Sequence, residues 1–199
     1  MVKKLSWLFM TVMAVGVAGY AGAALLSSSL RTGFVQDLFT NLPVATSAHL
    51  AGGMIAILLG ALQVSATLRK NYLNLHRWLG RIYVVAVITG GIGGFVMALD
   101  STGGLVTHFG FGLMAVCWVG CTVNAYRYIR AGNIAQHRAW MLRSYALTLA
   151  AVTLRIYLPL SQVAGYEFVE AYRAISWMCW VPNLLVVEWF MLSHQTTRR

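Results

Sequence analysis

The chain has 199 residues, 59% of them hydrophobic and only 10% charged, a composition foreign to water-soluble domains. Its formal net charge of +10 would suit a nucleic-acid partner, but the basic residues are distributed by membrane side, so no nucleic acid is expected. The three cysteines, Cys117, Cys121 and Cys179, lie inside apolar runs, which argues against a disulfide framework. Cys117 and Cys121 are four apart on one helix face and, lacking further thiolates, read as small buried hydrophobes rather than a metal site.

Six apolar runs, about 5–26, 46–68, 79–99, 105–126, 140–160 and 174–192, reach the roughly 20 residues needed to cross about 30 Å of hydrocarbon. They lack the period-two alternation of barrel strands, so the expectation is an all-α integral membrane protein with six transmembrane helices. The start of the chain (Lys3, Lys4, an apolar run, then Ala21-Gly22-Ala23) resembles a secretory signal, but the run is longer than a signal core and is expected to be a retained span. Residues 30–43 mix phenylalanine and leucine with Arg31 and Asp37, the pattern of a short interfacial helix. Pro43 should set the turn into the second span, with Thr46 or Ser47 as its cap.

In the third run, Gly90, Gly91, Gly93 and Gly94 would admit either a neighbouring backbone or a flat ligand. A tight outer turn at 100–104 follows. The fifth run carries Arg155, which costs about 2.5–3.5 kcal/mol at a helix centre on insertion scales and so calls for a partner or a function. After Pro159 an amphipathic connection, 161–173, leads to an aromatic last run with Trp177, Trp180 and Trp189. Glu188 in that run reads as an interface anchor or, facing the bundle, a proton relay.

The chain repeats itself. His49, an apolar run, a basic connection, His76-Arg77, Arg81 and Tyr83 match His108, an apolar run, a basic connection, His137-Arg138, Arg143 and Tyr145, with one residue inserted late. The repeats, 46–99 and 105–160, are expected to form a four-helix core of tandem two-helix units in a single membrane domain, 1–199, with 5–26 and 174–192 as flanking helices. Lys3, Lys4, Arg69, Lys70, Arg77, Arg81, Arg127, Arg130, Arg138, Arg143, Arg198 and Arg199 would fall on one side of six spans. Asp37, Asp100, Glu167 and Glu170 would fall on the other, with only Arg31 and Arg173. The positive-inside rule then places both termini in the cytoplasm, in the inner (cell) membrane, with the bilayer as the certain partner.

In this arrangement His49 and His108 share a depth near the outer surface, and His76 and His137 share one near the inner surface. Two neutral imidazoles from different helices are what a six-coordinate haem iron needs. Two such pairs would hold two haems and pass electrons across the bilayer. Gly52, Gly53, Gly110 and Gly112 would leave room for the macrocycle. Arg77, Arg81, Arg138 and Arg143 would pair with propionates. Arg155 lies 18 residues beyond His137, about 27 Å along a helix, where it would meet an outer propionate or a quinone-type substrate. With no Cys-x-x-Cys-His present, the haem would be b-type and non-covalent. His194 has no counterpart in the repeat and is not expected to ligate.

His49, then His76-Arg-x-x-Gly-Arg-x-Tyr, then His108, then His137-Arg-x-Trp-x-x-Arg-Ser-Tyr resembles a family of predicted bacterial membrane proteins of unknown function, over about 46–159. More distantly, the layout is similar to two-haem transmembrane b-type cytochromes. That likeness implies a membrane oxidoreductase, with His49 and His108 holding one haem, His76 and His137 the other, and a quinone or another small redox substrate as donor or acceptor. The alternatives are a histidine-based proton or metal-ion transporter and a non-catalytic membrane assembly protein.

Overall fold

A computed structural model describes the backbone of residues 2–196, and the side chains of residue 8 and of 10–193. Lys3, Lys4 and His194 lie outside the described side chains, and Arg198 and Arg199 outside the described residues altogether. Every regular element is helical, ten α-helices and one short 3-10 turn among the described residues. They are α1 (Val2–Leu26), α2 (Gly33–Asn41), α3 (Pro43–Gln63), α4 (Ala66–Asn71), α5 (Leu73–Ala98), α6 (Leu105–Arg130), α7 (Ile134–Thr148), α8 (Ala150–Val163), α9 (Phe168–Met178) and α10 (Val181–Thr196). Five helical stretches are long and apolar enough to cross a membrane: Pro43–Gln63, Leu73–Ala98, Leu105–Arg130, Ile134–Val163 and Phe168–Ser193. In α1 the described apolar stretch, Met10–Leu26, is shorter. Side chains such as Val85, Ile92, Val116 and Leu185 stand exposed, as lipid-facing residues must.

The chain divides into two compact units, Met1–Met97, which holds His49 and His76, and Ala98–Arg199, which holds His108 and His137.

In the first unit α1 and α2 pack on α3. The short helix expected in 30–43 is α2, capped by Thr32, whose hydroxyl accepts from Val35 N at 3.4 Å. Pro43 opens α3 as expected, but neither Thr46 nor Ser47 caps it. The cap position is Leu42, and the buried Thr46 hydroxyl donates to Leu38 O at 3.0 Å, tying α3 to the end of α2. α3 and α5 meet backbone to backbone: a Cβ on Gly52 would lie 2.5 Å from Ala86 O and 2.6 Å from Gly90 N. The basic connection after α3 is itself helical, because 66–71 forms α4 behind a Ser65 cap. Arg69 reaches back to Gln63 O (3.2 Å) and Val64 O (3.0 Å), satisfying carbonyls that the end of α3 leaves open.

The second unit opens with the tight turn expected at 100–104, where Gly103 (φ 109°) and Gly104 (φ 72°) adopt a backbone that suits glycine. α6 packs against α7 and α9, and α10 against α7 and α9. The α6–α7 pairing is fixed by buried hydroxyls. Trp118 Nε1 donates to Thr148 Oγ1 at 2.9 Å, and Thr122 Oγ1 lies 2.6 Å from Ser144 Oγ. Thr122 gives its one hydrogen to Trp118 O at 2.8 Å, so Ser144 is the donor in that contact. The amphipathic connection expected at 161–173 is largely helix, since α8 runs to Val163 and α9 starts at Phe168. Glu167 caps α9, accepting from Val169 N (2.8 Å) and Glu170 N (3.1 Å). Near the middle of the last span, Pro182 has no N–H to give. Beside it Asn183 Nδ2 lies 3.1 Å from Cys179 O, 3.3 Å from Ala146 O and 3.1 Å from Thr153 Oγ1.

Candidate functional site

The four repeat histidines each sit at or near the start of a spanning helix. In the first unit His49 lies in the second turn of α3, its ring laid on the glycine face of α5. Its Nδ1 is 2.8 Å from Gly90 O, and a Cβ on Gly94 would come within 2.7 Å of the same nitrogen. His76 occupies the first turn of α5, and its carbonyl accepts from the Gln63 amide at 2.9 Å. In the second unit His108, in the first turn of α6, lies with Nε2 3.1 Å from Ser101 O. His137, in the first turn of α7, reaches back with Nδ1 to Ala125 O of α6 at 2.9 Å.

A carbonyl oxygen can only accept, so the ring nitrogen facing it carries the hydrogen. In the neutral ring, His49 and His137 therefore hold their lone pair on Nε2, and His108 holds its on Nδ1. The backbone bond that fixes tautomer and ring direction at His49 and His137 is the kind that metal-ligating histidines use. His108 would have to release Ser101 to offer Nε2.

The glycines expected to clear space for a macrocycle behave differently from one another. Gly52 is closed by Ala86 and Gly90, and a Cβ on Gly110 would lie 2.5 Å from Ser176 Oγ. Gly53 faces open space, while Gly112 is buried. Gly93 and Gly94 serve helix contact, a Cβ at Gly93 falling 2.5 Å from Ala45 O.

Of the arginines, Arg77 and Arg138 are exposed, and Arg81 is exposed with its guanidinium 5.1 Å from the Trp78 ring centre. Arg155 donates Nη1 to Ala151 O of its own helix at 3.0 Å. Arg143 has the most built surroundings. Its Nε and Nη2 grip Glu188 of α10 in a two-point ion pair (2.5 and 2.9 Å), and its guanidinium lies 4.7 Å from the Trp140 ring centre. The pair borders a groove of about 320 Å³ lined by Cys117, Gly120, Asn124, Leu184 and Leu185 among others. Sequence reasoning placed Arg143 against a propionate and left Glu188 as an anchor or relay. The pairing itself was hidden, because Glu188 lies outside the repeat. No group of three or more His, Cys, Asp or Glu side chains gathers as a metal site among the described residues.

Apolar helices of spanning length, exposed aliphatic faces and polar contacts kept between helices define a multi-span helical membrane protein. The chain belongs to the family described as "Predicted membrane protein (DUF2306)", whose model matches residues 46–191. No curated protein and no solved structure matches it. The matched region includes His49, His76, His108 and His137 and takes in Arg143 and Glu188.

Proposed function

We propose that this protein is a transmembrane electron carrier whose repeat histidines, paired by register as His49 with His108 and His76 with His137, bind two b-type haems, in a six-span bundle with both termini cytoplasmic. Its enzymatic role would be that of a cytochrome b-type membrane oxidoreductase. The observation that carries the reading is the anchoring of His49 and His137 through Nδ1 to backbone carbonyls, which leaves Nε2 as the basic nitrogen in each ring. When bound, the haem would supply one-electron chemistry. The chain's own contribution would be to orient the imidazoles and to offer cations to the propionates. Arg77, Arg81 and Arg138 are the exposed cations beside the inner histidines, whereas Arg143 is already matched by Glu188.

Visible spectroscopy on protein purified from haem-replete cells tests this. A Soret band with sharp reduced α-bands is expected, with His49→Ala and His108→Ala each removing the same half of the haem. A colourless preparation overturns the proposal.

A second reading, a proton-coupled transporter, draws on the Arg143–Glu188 pair, an ionised couple held inside a spanning segment. It predicts proteoliposome flux that Glu188→Gln abolishes and that does not depend on haem.

A further inference from the structure

We infer that the groove between α6, α7 and α10 binds a single-chain neutral amphiphile whose head carries a hydroxyl or carbonyl, the chemistry shared by lipid quinols and long-chain alcohols. Charge is the first argument. Among the described residues, the acidic and basic side chains lining the groove are Arg143 and Glu188, and they face each other across a two-point contact. An anionic head would meet no uncompensated cation, and a cationic head no uncompensated anion. What remains on offer is hydrogen bonding, from the Arg143 N–H groups that Glu188 does not use and from the Asn124 carboxamide.

Depth is the second argument. Arg143 lies nine residues into α7 and Glu188 eight residues before the end of α10, about 12–14 Å along each helix. Asn124 is six residues from the end of α6, about 9 Å, and Cys117 thirteen, about 20 Å. The groove thus has its polar groups nearer the basic end of the span and its apolar wall, with Cys117 and Leu184, continuing inward. A head sunk below the phosphate layer, with one tail pointing to the membrane centre, matches that order. Gly120 opens the wall, since a Cβ there would meet nothing within 4 Å.

None of the repeat histidines takes part, so a failure of haem binding and a failure of this site are separate results. The full chain in zwitterionic nanodiscs is titrated calorimetrically with 2-decylbenzoquinol, farnesol and oleate. Saturable one-to-one binding of the quinol or the alcohol is expected, the one that binds identifying the source. Gly120→Phe should weaken it about tenfold or more without changing the thermal midpoint. If Gly120→Phe does not fold, Leu184→Trp narrows the opposite wall and is read in the same way. Glu188→Gln, which leaves Arg143 unmatched, should create oleate binding. The inference is overturned if neither neutral probe saturates or the groove-filling variant binds equally well. It is equally overturned if oleate binds the native chain as tightly as the neutral probes, or if Glu188→Gln gains no affinity for it.

Discussion

A neutral imidazole has one hydrogen and one lone pair, and the neighbour of one nitrogen decides what the other can do. His49 and His108 occupy matched places in the repeat, yet one gives Nδ1 to a helix carbonyl and the other gives Nε2 to the carbonyl of Ser101 in a turn. Their chemistry in this structure is therefore not interchangeable, although their sequence register is. Glycine shows the same divergence. Gly52→Leu should cost about 1–3 kcal/mol of stability, because even its Cβ would overlap Ala86 O and Gly90 N and neither backbone can yield without parting α3 from α5. Gly53→Ala, whose Cβ enters open space, should unfold at the native midpoint. Chemical denaturation in detergent compares the two. Adjacent glycines in one helix look alike in sequence, and only the packing of α5 tells them apart.

At the scale of elements, the last two spans are joined not only through the Arg143–Glu188 pair but near their middles by a polar side chain. Asn183 brackets the stretch beside Pro182 and reaches Ala146 and Thr153 on the preceding span. Asn183→Ala should lower stability by about 1–2 kcal/mol, the sum of a few interhelical hydrogen bonds in a membrane. Asn183→Asp should be worse, since it replaces the donor with a charge facing the carbonyls of Ala146 and Cys179, which can only accept. Thermal unfolding followed by circular dichroism would rank the three chains. Five spanning stretches were legible in sequence because long apolar runs leave a helix no competitor in hydrocarbon. The connections were not. Residues 66–68 read as the end of a spanning run, 69–71 as a basic loop and 161–163 as an amphipathic connection, but Ala, Leu, Arg and Lys favour helix wherever a cap such as Ser65 starts one. The placement of the four histidines near helix starts was legible in the sequence, and the Arg143–Glu188 pair was not, because nothing in linear order links α10 to α7.

For the whole molecule, the family-matched region starts at residue 46, so α1 and α2 precede it, while most of α3, all of α4 to α9 and most of α10 fall within it. Each compact unit then contributes one helical hairpin that carries a histidine at each end. The positive-inside rule predicts that the basic residues flanking α4, α5 and the α6–α7 connection face the cytoplasm, which sets an expected direction in the bilayer. That direction can be measured residue by residue. A cysteine at Thr102, in the exposed turn before α6, should react with a membrane-impermeant maleimide in intact cells. One at Gln136, exposed in the first turn of α7, should react only after permeabilisation. The native thiols Cys117, Cys121 and Cys179 lie within spanning helices and should stay silent in both cases. If α1 crosses the bilayer as the composition of 5–26 implies, a tag at either terminus should be protected in intact cells, as Gln136→Cys is. A tag exposed at the N-terminus alone would leave five spans and a first helix that does not cross.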